Sequence, residues 1–122
     1  MTGQQMIEKS EMLLGYTASN GNLQLSARIT GKALMIVNQV YSDLWRICYD
    51  EAFIPLENIH SEIALPERVL NDVMPYGVAM FIAQSESDGE QQQMYSFLYN
   101  KKRAGLNRKE QIIDVMPRSC DI

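Results

Sequence analysis

The sequence has little of what common enzyme active sites and metal centres require. It contains one histidine, His60, and two cysteines, Cys48 and Cys120, which form no CxxC pair. These three residues make a poor set of zinc ligands, and reduced thiols are the simplest expectation for the cysteines. The phosphate-binding patterns GxxxxGKS, GxxxxGKT and GxGxxG are absent, as is the GxSxG pattern of hydrolases. We therefore expect no catalysis, no bound metal and no cofactor.

Long apolar runs are also missing. The longest, around residues 33–37 and 77–83, fall far short of the roughly 20 residues that a membrane span needs. The first 16 residues carry Glu8, Lys9 and Glu11, whereas a secretory signal has a basic start followed by an apolar run. We expect no membrane partner and a cytoplasmic location.

The composition is that of one ordinary globular domain. The chain has 122 residues, of which 46% are hydrophobic and 21% charged, enough for one modest core. The charge is unevenly distributed. Residues 50–90 hold nine acidic residues and one base, a net charge of −8, whereas residues 91–122 hold six bases and three acids, a net charge of +3. Such polarity suits self-assembly or docking between opposite charges; merely solvated faces are the alternative.

The apolar spacing predicts an all-α fold, a small helical bundle. A first helix is expected over residues 2–14, capped by Thr2 and ended by Gly15, with a loop at residues 17–22. A long helix is expected over residues 26–49, since apolar residues recur there every three or four positions. Its apolar face comprises Ile29, Ala33, Ile36, Val40, Leu44 and Ile47.

The second half predicts a connection followed by a helical hairpin. Residues 51–65 lack a helical period and should form a connection with some extended structure. A helix over residues 66–87 should kink or restart at Pro75, which has no backbone N–H. Its later part is apolar nearly all round and should be buried. The small residues Gly77, Ala79 and Ala83 should let a neighbouring helix approach closely.

A last helix should run from Asp88, as its cap, to about Ala104, with Gly105 ending it. We expect Met94, Phe97 and Leu98 to form its buried side, together with Tyr95 and Tyr99, whose spacing fits this side less exactly. Together with the preceding helix it should form an antiparallel hairpin.

The remaining residues predict an extended C-terminal tail. The domain organisation is then a helical bundle at residues 1–106 and an arm at residues 107–122 that pairs with another surface. A strand or coil folded back on its own domain is the alternative. The residues expected to mediate self-assembly or partner binding lie in the tail and just before it: Lys101, Lys102, Arg103, Arg108, Lys109, Ile112, Ile113, Val115 and Met116.

Four segments of the hairpin region carry a resemblance to a known family. They read LPE at residues 65–67, VMPYGVA at 73–79, IAQSESD at 82–88 and YSFLYNKK at 95–102. This pattern resembles the small head–tail adaptor proteins of tailed bacteriophages and prophages, also called connector or head-completion proteins. The segment IVNQVYSDL at residues 36–44 is similar to the long central helix of that family.

The resemblance implies a structural virion-assembly protein with no catalytic residues. Subunits of this family form a ring, commonly a dodecamer, beneath the portal protein and contact a neck or tail completion protein. DNA passes through the channel without sequence-specific binding. The implied location is the bacterial host cytoplasm during assembly and then the neck of the virion.

Two other functions remain open from the residues. One is a small helical DNA-binding or regulatory protein that uses the basic end of the last helix, although the sequence pI is about 4.9 and a dedicated DNA binder usually has a basic domain. The other is a small enzyme centred on His60 or on an acidic pair.

Overall fold

The computed structural model describes residues 1–15 and 27–119, and the side chains of residues 1–15 and 31–106. These residues form five helices and no strand. The helices are α1 (Gly3–Leu14), α2 (Ala27–Cys48), α3 (Glu67–Asp72), α4 (Met74–Ser85) and α5 (Gly89–Ser119). The predicted all-α bundle is confirmed. The loop predicted at residues 17–22 lies outside the described residues.

Helix α1 begins and ends where the sequence predicts. The Thr2 hydroxyl accepts a hydrogen bond from the Gln5 N–H at 3.2 Å, and the Gln5 side-chain oxygen accepts one from the Thr2 N–H at 2.9 Å. This reciprocal pair is a capping box, which satisfies N–H groups that a helix start leaves without partners. Gly15 takes the left-handed conformation, with φ of 79°, and ends the helix.

The connection between α2 and α3 holds the start of α1. It is irregular, and its extended part forms an antiparallel bridge between Thr2 and Glu62. The N–H groups of Gly3 and Gln4 donate to the carbonyls of Ser61, at 3.3 Å, and Ile59, at 2.8 Å. The connection therefore supplies partners for the first turn of α1, and the expectation of some extended structure is confirmed.

Helix α4 is the centre of the core, and it contacts each of the other four helices. The break at Pro75 is a restart: α3 ends at Asp72 and α4 begins at Met74. Pro75 fits the first turn of a helix because an N–H there has no partner within the helix. The predicted burial of the later part of this helix is confirmed for Val78, Ala79, Ile82 and Ala83, whereas Phe81 is half-buried.

Helices α4 and α5 form the predicted hairpin. The N–H of Gln91 donates to the Asp88 carboxylate at 3.3 Å, which caps α5. Farther along, the ring of Tyr99 lies directly over Gly77. A Cβ atom at Gly77 would lie 2.7 Å from the Tyr99 Cε1 atom, closer than nonbonded carbons approach. The absence of a side chain at Gly77 therefore sets the distance between the two helices.

The buried side of α5 differs from the prediction. Tyr95, Tyr99 and Leu106 are buried, whereas Met94 is 47% exposed and Phe97 64% exposed. The expectation was wrong for Met94 and Phe97 and is confirmed for Tyr95 and Tyr99, while Leu98 is half-buried. The tyrosines are buried because their hydroxyls find acceptors on α1 and α2. Tyr95 donates to the Leu13 carbonyl at 2.8 Å and Tyr99 to the Asp43 carboxylate at 2.7 Å. A hydrogen-bonded tyrosine buries its large ring without leaving its hydroxyl unsatisfied.

The end of α5 also differs from the prediction. The helix continues to Ser119, so the end expected near Ala104 and the extended conformation expected after residue 106 are wrong. Gly105 does not take a positive φ and lies inside the helix. One glycine costs only about 1 kcal/mol relative to alanine, and residues 106–111 are mostly good helix formers. Residues 120–122 lie outside the described residues.

The contact between Gly77 and Tyr99 predicts the effect of a single methyl group. We expect Gly77→Ala to lower the free energy of unfolding by about 1–3 kcal/mol, because the methyl group would force the α4 and α5 backbones apart. The matched control is Gly105→Ala, since nothing lies within 4 Å of its Cβ position. That change should be neutral or stabilise by up to about 1 kcal/mol. Urea denaturation followed by circular dichroism measures both, and equal effects would contradict the packing.

Candidate interaction surface

The structure places the predicted interaction residues on α5. Lys101, Lys102 and Arg103 lie on the last turns of α5 whose side chains are described, and Arg103 and Lys102 contact other helices. The side chains of the remaining six lie outside the described set, although their backbone belongs to α5: Arg108, Lys109, Ile112, Ile113, Val115 and Met116.

Arg103 joins α5 to α2. Its Nε donates to Asp43 Oδ2 at 2.6 Å, and its Nη2 donates to Asp43 Oδ1 at 2.8 Å. The Tyr99 hydroxyl, one turn earlier, donates to the same Oδ2 at 2.7 Å. Asp43 thus receives three hydrogen bonds from one face of α5. A two-point contact between guanidinium and carboxylate is both strong and directional.

The pKa values of this cluster follow from its geometry. Burial alone would raise the pKa of Asp43, but hydrogen bonds from Arg103 and Tyr99 and the charge of Arg103 outweigh burial, so the pKa lies below its usual value of 3.8. The pKa of Tyr99 is raised well above 10, first by burial and then by Asp43. The bond to Asp43 likewise raises the pKa of Arg103. Asp43 is therefore ionised and the other two protonated across the neutral range.

Lys102 and Lys101 have different surroundings. Lys102 Nζ lies 3.4 Å from Asp72 of α3 and 4.8 Å from the centre of the Tyr76 ring. Lys101 Nζ lies 5.9 Å from the centre of the Phe97 ring, and it has no carboxylate partner among the described residues. Lys102 and Arg103 therefore hold the bundle together, while Lys101 is the one of the three that points outward.

An outer stripe on α5 consists of Met94, Phe97 and Lys101. Their spacing of three and then four residues places them on one side of a helix, and all three are exposed. The expectation for Met94 and Phe97 had assigned them to the core. Tyr95 and Tyr99 belong to the same expectation, and their four-residue spacing is the signal that favours them over Met94 and Phe97, because tyrosines can be buried when their hydroxyls are bonded. The outer stripe leaves two large apolar side chains in water beside a positive charge.

Glu11 of α1 is buried without a full set of partners. The residue is 1% exposed, and its Oε1 atom has no hydrogen-bond partner among the described residues. Burial, and then the negative charge of Glu86, raise the pKa of this carboxyl to about 7. An ionised carboxylate in such a place is costly. The Glu11 carboxyl is thus divided between protonated and ionised forms near neutral pH.

Comparison of the chain with protein-family models, with curated proteins and with solved structures finds no match. Among the residues that the structure describes, no helix has the length and apolar character that crossing a membrane requires. The described part of the chain also contains no group of three or more His, Cys, Asp and Glu side chains placed to hold a metal ion. His60 is exposed, and its backbone N–H donates to the Asn58 side-chain oxygen at 2.8 Å.

The three bonds to Asp43 predict a strong effect of removing its charge. We expect Asp43→Asn to lower the free energy of unfolding at pH 7 by about 1–3 kcal/mol, since hydrogen bonds to charged groups are the stronger ones. Asp72→Asn, which removes only the exposed pair with Lys102, should cost about 0–1 kcal/mol. Denaturant titrations of both variants provide the comparison.

The same variant tests the sign of the pKa shift at Asp43. Because the folded pKa is lowered, the stability from Asp43 is present above the usual pKa of 3.8 and is lost as the pH falls through the folded value. The difference between wild type and Asp43→Asn should therefore shrink below pH 4. A difference that stays constant down to pH 2 would contradict the assignment.

The raised pKa of Glu11 predicts the opposite pH dependence. Stability from the protonated carboxyl is present below its ordinary pKa of 4.5 and is lost as the pH rises through about 7. We expect Glu11→Gln to remove this loss, so that the variant gains about 1–3 kcal/mol relative to wild type between pH 5 and pH 8. Glu57→Gln, at an exposed position, is the control. Parallel pH profiles for wild type and Glu11→Gln would exclude a buried titrating carboxyl.

Proposed function

We propose that this chain is a structural virion-assembly protein, a head–tail connector subunit that assembles into a ring below the portal of a phage or prophage particle. The observation that carries the proposal is the outer stripe of α5. It exposes Met94 and Phe97 beside Lys101, within the hairpin whose sequence resembles the connector family. Large exposed apolar side chains grouped on one helix face are typical of protein contacts.

The charge distribution supports a head-to-tail contact between subunits. A ring needs two different, complementary surfaces on each copy. Residues 50–90 carry a net charge of −8 and residues 91–122 a net charge of +3, so the basic part of one copy attracts the acidic part of the next. In the proposed particle the ring contacts the portal protein and a neck or tail completion protein, in the host cytoplasm during assembly and in the virion neck afterwards.

DNA passes through such a ring without sequence-specific binding. Because affinity for phosphates depends on Lys and Arg, an acidic channel wall lets DNA slide. The alternative, a regulator that binds DNA through the basic end of α5, has less support from the geometry. Lys102 and Arg103 are bonded to Asp72 and Asp43, which reduces the positive charge that they offer to phosphates.

Self-association and portal binding test the proposal. We expect sedimentation velocity to show concentration-dependent association of the wild type, and electron microscopy with the cognate portal protein to show ring-shaped decoration. Phe97→Glu should raise the concentration for half-assembly about tenfold or more, because it places a charge in an apolar contact. Met35→Glu changes a side chain of similar exposure, 60% against 64%, on α2 and should assemble like the wild type.

Two outcomes would count against the connector proposal. A wild type that stays monomeric and does not decorate the portal would overturn the connector proposal. Salt-dependent binding to duplex DNA, weakened by Lys101→Gln, would favour the regulatory alternative.

A further inference from the structure

A preformed groove lies between α2 and the connection that follows it. Three side chains on one flank of α2 bond to the backbone of the connection. Trp45 Nε1 donates to the Glu51 carbonyl at 2.8 Å, and the Tyr41 hydroxyl accepts from the Ala64 N–H at 3.0 Å. Between Glu51 and Ala64 the connection reverses its direction along α2. A third side chain of α2 bonds to the connection at that point.

That third side chain is Asn38. Its Oδ1 accepts from the Leu56 N–H at 2.8 Å, and its Nδ2 donates to the Leu56 carbonyl at 3.1 Å. A side-chain amide that pairs with both backbone groups of one residue fixes the local position of the chain. The walls of the groove are thus held by four hydrogen bonds to α2, and the groove exists before any partner binds.

The groove combines an apolar floor with an acidic rim. Its volume is about 410 Å³. The rings of Tyr41 and Trp45 meet edge to face, with centroids 5.9 Å apart, in its wall. Ile54, beside them, is 78% exposed, which leaves a large apolar side chain in water. The acidic residues that line the groove are Glu51, Glu57 and Glu62.

The rim retains negative charge. Glu62 is paired with the amino group of Met1 at 2.9 Å. Glu51 and Glu57 are exposed, and neither forms an ion pair with another described residue. Aromatic rings next to carboxylates suit the side chains of lysine and arginine, whose stems pack on rings while their charged ends reach the acids. The groove therefore fits a basic segment that also carries apolar residues.

The chain contains such a segment at the end of α5. Of the bases in residues 101–119, Lys102 and Arg103 are bonded within their own bundle, which leaves Lys101, Arg108, Lys109 and Arg118 against Glu110 and Asp114. The same segment carries Ile112, Ile113, Val115 and Met116.

The groove and α5 lie on opposite flanks of α2. Each residue turns a helix by about 100°, so Asp43 lies roughly 140–160° around the axis from Asn38, Tyr41 and Trp45. Asp43 is the residue that fixes α5 through Arg103. Since α5 is held on one flank and the groove opens on the other, the end of α5 is placed to meet the groove of another molecule.

We propose that this groove binds the C-terminal part of α5, residues 107–119, from a second copy of the chain. The inference rests on the proposed self-assembly and names its complementary surface. Such a contact joins two different surfaces, so it repeats from copy to copy and produces a closed ring or a filament.

Pairs of variants test the head-to-tail character of this contact. Ile54→Glu damages the groove and leaves α5 intact, whereas the double variant Arg108→Glu, Lys109→Glu damages the α5 end and leaves the groove intact. Each alone should raise the concentration for half-assembly about tenfold or more. Mixed together they should form one-to-one dimers that do not grow, since only one good contact is available. Met35→Glu on the exposed side of α2 is the control and should assemble like the wild type.

A crosslink identifies the occupant directly. A photoreactive phenylalanine analogue at Ile54, in an equal mixture of ¹⁴N-labelled and ¹⁵N-labelled full-length chains, should crosslink to residues 107–119 with mixed isotopes. Crosslinks only within one isotope would show that a chain binds its own α5 and would overturn the proposal, as would crosslinks to any other segment.

The outcomes separate this inference from the proposed function. If the wild type assembles, and Ile54→Glu assembles equally well, the groove is not the contact, but the connector proposal stands. If the wild type neither self-associates at any concentration nor decorates the portal, both are wrong. Growth of the mixed variants beyond dimers would also contradict the head-to-tail contact.

Discussion

The contact between Asp43 and α5 is the interaction on which the arrangement of this molecule depends. One carboxylate on α2 receives two hydrogen bonds from Arg103 and one from Tyr99. Tyr99 is placed there because Gly77 of α4 has no side chain to displace its ring. A single polar cluster thus fixes the position of α5 against both α2 and α4. It also holds the basic end of the helix at a defined flank of the bundle.

The opposite flank of α2 fixes the position of the connection that follows it. Its side chains bond to the connection, so one helix organises two surfaces that differ in shape and charge. The first carries the outer stripe and the basic end of α5, and the second carries the aromatic and acidic groove. These two surfaces are different and point away from each other. When one copy binds the next through them, each pair still has one free surface of each kind, so assembly continues beyond a dimer. This geometry links the proposed ring to the packing of individual side chains.

The sequence predicts the parts of this fold that depend on neighbours in the chain. Thr2 and Gly15 bound α1, and Pro75 marks the restart of a helix, because caps and proline act on the residues next to them. The buried side of α5 could be predicted only in part in this way, since the sequence placed Tyr95 and Tyr99 there together with Met94 and Phe97. Tyr95 and Tyr99 are chosen over Met94 and Phe97 by acceptors on α1 and α2 that are 82 and 56 positions away. The groove was missed for the same reason, since Asn38, Tyr41 and Trp45 bond to a connection whose sequence has no regular period.

The central claim is that copies of this chain associate head to tail through α5. An electron-microscopy reconstruction of the assembled wild-type particle is the most direct measurement of it. We expect a closed ring in which α5 of each subunit lies against α2 and the connection of the next, with Ile54 covered. A twofold dimer, or a ring in which the end of α5 faces solvent and the groove is empty, would contradict it.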